Sequence, residues 1–116
     1  ALFFNSPLGQ RMKNADRVFR EVPFSTIVPA SVFTGKEKYF SEKIILQGII
    51  DCYFFEGDKI TLIDYKNDKV TDKDKILEKY KFQLDTYALA LEKKYFSKIF
   101  QKVIYLFENN DIIECN

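Results

Sequence analysis

A chain of 116 residues has room for one domain with a hydrophobic core and not for two comfortable ones. Its 18 Lys and Arg against 17 Asp and Glu give a net charge of +1, so bulk electrostatics make no case for a nucleic-acid partner and any such case must come from a local site. There is no histidine, which confines any acid-base chemistry to carboxylates and lysine, and two cysteines, Cys52 and Cys115, are too few for a disulfide framework or a four-thiolate centre and fit a reduced, cytoplasmic setting.

In chain order, Pro7 interrupts the first apolar stretch and a short helix is expected over residues 8–14. The chain opens on apolar residues without an initiator Met, as expected of a piece of something longer. Residues 18–29 read as a strand with Val22, Phe24 and Thr26 in one register and Phe19, Glu21 and Pro23 in the other, Pro23 suggesting an edge or a bulge. Residues 31–42 read as a loop. Two strong strands, 43–55 and 59–66, flank Glu56-Gly57-Asp58 and form the clearest hairpin in the chain. A charged loop, 67–75, opens an amphipathic helix over 76–94, capped by Asp72 or Asp74, with Leu77, Tyr80, Leu84, Tyr87, Ala88 and Leu91 on its apolar side. A strand at 102–107, a turn at 108–111 and a weaker strand from Ile112 complete a mixed α/β domain built on one small sheet. No stretch is long and apolar enough for a membrane span, and no secretory signal is visible.

The hairpin allows a sharper deduction. With the turn centred between Gly57 and Asp58, opposed residues have numbers summing to 115, and Asp51 and Asp64 satisfy that condition. Opposed Cβ atoms lie roughly 5 Å apart, where like charges destabilise a sheet, and a one-residue bulge would spoil the register. Lys66, two residues beyond Asp64, projects to the same face. Leu46, Ile49, Ile50 and Ile63 make the surroundings mostly buried, where unpaired charge is expensive. A hard divalent cation held by the two carboxylates would compensate, leaving Lys66 to orient or deprotonate a water or to stabilise charge on a phosphate. The plainer alternative is an ordinary charge cluster at strand ends. Gly48 suggests a bulge or a close backbone approach. On the helix, Gln83 and Tyr87 share a face, with Tyr80 one turn earlier; on periodicity alone Tyr87 is core and Gln83 a boundary residue.

Four stretches taken together, Arg20-Glu21-Val22-Pro23-Phe24-Ser25, Gln47-Gly48-Ile49-Ile50-Asp51, Ile63-Asp64-Tyr65-Lys66-Asn67-Asp68 and the helix from Tyr80 to Glu92, resemble the RecB-type branch of the PD-(D/E)XK nucleases, closest to the carboxy-terminal nuclease domain of AddA-type helicase-nucleases. The resemblance implies a restriction-endonuclease-like mixed sheet core, αβββαβ, with a catalytic hairpin. It implies a magnesium-dependent deoxyribonuclease, an exonuclease of a helicase-nuclease complex with an AddB-type partner. Such an enzyme would act on single-stranded DNA ends in double-strand-break processing and recombinational repair in the bacterial cytoplasm, with manganese able to substitute. Asp51 and Asp64 would be the metal ligands, the main-chain carbonyl of Tyr65 a further one, Lys66 the catalytic lysine, and Gln83 and Tyr87 the helix motif. Glu21 matches a recurrent acid that reaches the metal through water, or is an exposed strand charge.

Two departures stand against the pattern. Asn67 replaces the usual Thr or Ser, and the family's metal-binding histidine on a preceding helix has no counterpart here. A truncated, inactive fragment, or a non-catalytic DNA-binding or interaction module, is therefore the rival expectation, with Lys69, Lys73 and Lys75 available to DNA backbone in any of these cases. No glycine loop with a lysine suited to ATP phosphates is present, and two cysteines argue against an iron-sulfur relative.

Overall fold

Gly57 allows the chain to reverse at its central hairpin: it takes a positive φ of 63°, which a residue without Cβ adopts freely, and Glu56 pairs with Lys59 across the turn. The computed structural model describes residues 2–30, 42–67, 72–107 and 111–115, without the side chains of Leu2 and Phe4. Helices α1 (Leu2–Asn5) and α2 (Pro7–Lys13) precede strands β1 (Arg17–Pro29), β2 (Lys43–Glu56) and β3 (Lys59–Lys66). Helix α3 (Lys73–Tyr95) and strands β4 (Ile99–Leu106) and β5 (Asp111–Cys115) follow. One sheet has the order β1-β2-β3-β4-β5, with β3 and β4 parallel and every other neighbour antiparallel. The parallel pair needs a crossover, and α3 supplies it. The expected αβββαβ core is present, with α1 as an extra turn at the front and β5 as a fifth strand.

Local chemistry sets most boundaries. Pro7 sits at the start of α2, where its missing N–H costs nothing, and the Ser6 side chain accepts a hydrogen bond from the Gly9 N–H at 3.0 Å. Of the two candidate caps for α3, Asp72 fills the position, accepting from the N–H groups of Asp74 and Lys75. That starts the helix at Lys73, three residues before the first apolar position. β4 begins at Ile99, earlier than expected, because the Glu92 carboxylate at the end of α3 accepts from the Ile99 N–H at 3.0 Å. The loop over residues 31–41, Lys69 and the turn residues 108–110 lie outside the described residues.

The sheet carries apolar side chains on both faces. Ile50, Tyr53, Phe55, Leu62 and Ile104 pack under Leu84, Ala88 and Leu91 of α3. Cys52, Phe54, Ile63, Val103 and Tyr105 pack on Phe3, Leu8 and Met12 of α1 and α2. Arg11 fastens α2 to the interior strands β2 and β4, donating to Glu56 Oε1 at 2.7 Å and to Gln101 Oε1 at 3.0 Å. The buried face of α3 is wider than its periodicity suggests, since Thr86 and Ala90 are also buried.

The side-chain phase of β1 and β2 departs from simple alternation. Phe19 lies on the α3 face together with Val22 and Phe24, and Ile50 lies there together with Tyr53 and Phe55. Each strand therefore switches phase at one point, and the two points are neighbours. On β1 that point is Glu21, whose φ is 52°, a left-handed conformation that costs a non-glycine residue about 1–2 kcal/mol. Glu21 has no partner in the ladder between Arg20↔Cys52 and Val22↔Ile50, a register that places it across from Asp51. The expected grouping of Phe19 with Glu21 and Pro23 is thus overturned by a local kink. Ile49 is corrected for the same reason: it is 58% exposed on the outer face, while Leu46 and Ile50 are buried. Pro23 sits on an edge strand, where its missing N–H is tolerated.

Candidate active site

Every observed pair of the hairpin obeys the sum of 115, from Glu56↔Lys59 to Cys52↔Ile63, and the ladder stops there. Past that point the strands part company: β2 goes on pairing with β1, while β3 goes on pairing with β4 as far as Lys66. The next pair in register, Asp51 and Asp64, lies at the mouth of this notch. With no ladder partner from β2, the Tyr65 N–H donates instead to Asp51 Oδ2 at 2.9 Å.

Asp64 is only 2% exposed. Burial, followed by hydrogen bonding to the Asp51 carboxyl, pushes its pKa up to about 7, against the pull of Lys66. Lys66 Nζ lies 3.2 Å from Asp64 Oδ2 as an ion pair, but without hydrogen-bond geometry, so this buried oxygen has no hydrogen-bond partner. One lysine faces two carboxyl groups in a desolvated notch, where a second negative charge is costly.

Helix α3 closes the notch from above. Lys66 Nζ donates to Gln83 Oε1 at 2.9 Å, and Gln83 Nε2 donates to the Tyr87 hydroxyl at 2.9 Å. The Tyr80 ring lies under the ammonium group, 4.5 Å from centroid to nitrogen. Burial and then the charges of Asp64 and Asp51 raise the Tyr87 pKa, so the phenol stays protonated. Tyr87 is both core and part of this chain of polar contacts; Gln83 is bound to Lys66 rather than idle at the boundary.

Gly48 is explained by close approach. A Cβ there would meet Phe24 Cε1 at 3.1 Å and Tyr87 Cε1 at 3.4 Å. Overpacking of this kind costs about 1–3 kcal/mol. Gly48→Val is accordingly expected to lower the unfolding free energy by about that amount and to push Tyr87 away from Gln83, checked by denaturant titration and by the Tyr87 ring resonances.

Glu21 is exposed and lines, with Arg20, Asp51, Tyr65 and Phe107, a cavity of about 540 Å³ on the side of the sheet away from α3. Asp51 thus borders both sides of the sheet, because it sits where the strands diverge. Arg20 and Phe107 carry no signal of proximity in the sequence; only the phase switch and the length of β4 bring them here. The loop lysines are less available than expected, since Lys73 pairs with Asp111 at 3.1 Å, while Lys75 is exposed.

The donor set fits a hard divalent cation. Two carboxyl groups lie side by side, and one has a buried oxygen lacking any hydrogen bond, with the Lys66 ammonium 3.2 Å from it. Among the described residues no three Asp, Glu, Cys or His side chains form a complete cage. Two carboxylates supplemented by main-chain oxygen and water are what magnesium accepts, since it keeps several waters. No described helix is long and apolar enough to cross a membrane.

Residues 5–113 match the PD-(D/E)XK nuclease superfamily, and the chain belongs to that family. Curated relatives that bear the name of the A-type ATP-dependent helicase/nuclease subunits are similar along 97% of the chain: 44% identical over 115 residues in Clostridium kluyveri, 41% over 122 in Ruminiclostridium cellulolyticum and 43% over 116 in a Thermoanaerobacter species. The chain spans 9% of the length of each of these relatives.

Proposed function

We propose that the chain is the nuclease domain of an AddA-type helicase-nuclease and hydrolyses phosphodiester bonds of single-stranded DNA ends with magnesium, in the processing of double-strand breaks. The observation that carries this reading is Asp64 beside Asp51, only 2% exposed and with a buried oxygen that has no hydrogen-bond partner, a charge arrangement that a divalent cation completes and that a purely structural hairpin has no need of. Asp51 and Asp64 would hold the ion, with the Tyr65 carbonyl as a further ligand and Glu21 reaching it through water. A bound magnesium ion polarises a phosphate and acidifies a water. Lys66, fixed by Gln83 over the Tyr80 ring, orients the attacking water and offsets charge on the phosphate. Tyr87 holds Gln83, and through it the lysine. A cytoplasmic setting and an AddB-type partner go with this assignment.

The test is cleavage of linear single-stranded DNA by the chain with magnesium, beside an Asp64→Ala control. Magnesium-dependent products from the first and none from the second are expected; equal signal from both would refute the assignment.

A pH dependence follows with a definite sign. Ligation requires both carboxylates deprotonated. With the Asp64 pKa near 7, apparent magnesium affinity is expected to fall about tenfold per pH unit below 7 and to level off above it. Calorimetric titrations from acid to mildly alkaline pH read this directly, with protons released on binding below neutrality; an affinity that does not change with pH contradicts it.

A further inference from the structure

We infer that the cavity beside Asp51 seats an unpaired nucleobase next to the phosphate being cut, with the Tyr65–Phe107 ring pair as its stacking platform and Arg20 as its cation. The inference rests on the nuclease reading and adds the substrate form that this side of the site accepts.

Phe107 follows directly on β4, and its N–H donates to the Lys66 carbonyl at 3.1 Å, so the ring is tied to the carboxyl end of the same strand that carries Asp64. Ends of parallel strands are where α/β sheets bind ligands. The Phe107 ring lies on Tyr65 with centroids 5.5 Å apart and planes 24° apart, yet Phe107 is 51% exposed. A large apolar ring so placed leaves an aromatic face open to solvent. The ring also borders the site: Arg20, Glu21, Asp51, Tyr65 and Phe107 line an open groove of about 540 Å³, within the range of small-ligand sites.

Tyr65 is the hinge of the arrangement. Its main chain faces the Asp51 carboxylate, while its ring is held edge-on by Phe3 and Tyr105. The platform is therefore rigid, and it lies one residue from Asp64. A base stacked on it would leave its phosphate at the notch and its next phosphate within the field of Arg20. Stacking on an open aromatic face needs an unpaired base and tolerates every base, so it favours single strands or frayed ends over closed duplex without sequence preference.

The experiment uses the full chain in an Asp64→Asn background, which does not degrade its ligand, and a single-stranded oligonucleotide carrying 2-aminopurine as the probe. Stacking quenches the probe. Phe107→Ala is expected to weaken single-strand binding about 5–20-fold and to abolish the quenching, with Phe107→Trp retaining both and blunt duplex binding unchanged within about twofold. Phe107→Leu, which keeps the apolar bulk, separates stacking from folding and is expected to behave as the alanine variant. Unchanged binding and quenching in the alanine and leucine variants would overturn the platform, as would an absence of single-strand binding altogether. If the unmutated chain binds magnesium and cuts DNA while Phe107 proves indifferent, the platform alone fails. If Phe107 governs single-strand binding but the chain neither binds metal nor cuts, the nuclease reading fails and the platform stands.

Discussion

Asp64→Asn is expected to lower DNA cleavage on the order of 10³-fold or more while making the metal-free chain more stable. The two effects share a cause. In the folded chain the Asp64 pKa is raised from 3.8 to about 7 by burial and by Asp51, so its contribution to stability is present below pH 4 and is lost as pH rises through 7. At neutral pH and above, the site holds charge that folding did not need. An asparagine keeps the shape, carries no charge and recovers on the order of 1–3 kcal/mol, while removing a ligand the cation requires. Denaturant melts without metal, taken at pH 5 and pH 8, separate the outcomes. The unmutated chain should lose stability between them relative to the variant, and magnesium should restore it only in the unmutated chain. A variant less stable at pH 8 would show that Asp64 is a structural ion-pair partner of Lys66 and not a strained ligand.

Lys66→Met is the second large effect, expected at about 10²–10⁴-fold in cleavage rate, with magnesium affinity retained or improved at alkaline pH, where Asp64 is deprotonated. The lysine is 3.2 Å from Asp64 and bound to Gln83, but as a cation it cannot ligate a metal, and its removal takes a repulsive charge from beside the ion. Because Lys66 is the main influence lowering the Asp64 pKa, the pH at which metal binding falls off should also move upward. Titration calorimetry and single-turnover cleavage on the same preparation check both halves. Equal losses of affinity and rate would mean that Lys66 acts only by holding Asp64 in place.

The nearness of Asp51 to Asp64 is legible in the sequence because a two-residue turn imposes strict arithmetic on a hairpin and no bulge intervenes between Cys52 and Glu56, although the ladder itself ends one pair short of them. The helix is legible from its spacing, and Asp72 from the chemistry of a cap. What the sequence conceals lies one residue further along. The phase switch at Glu21 and Asp51 arises at a left-handed residue that lacks a ladder partner, a conformation that a glutamate side chain does not announce. It moves Phe19 to the core face and Ile49 to the outer face, against strict alternation. The divergence of β2 from β3 likewise depends on where β4 pairs, which is a long-range matter. Periodicity alone places Tyr87 in the core and leaves Gln83 at the boundary; both sit on the core-facing side of α3, and only the lysine arriving from β3 gives Gln83 a partner.

Whether Asp51 and Asp64 together hold a divalent cation can be read from anomalous diffraction by crystals of the chain soaked in manganese. One peak is expected in the notch, in contact with both carboxylates and with the Tyr65 carbonyl, and absent from Asp64→Asn crystals treated alike. An empty notch at saturating manganese, with Asp64 still turned to Asp51 and Lys66, would contradict that expectation.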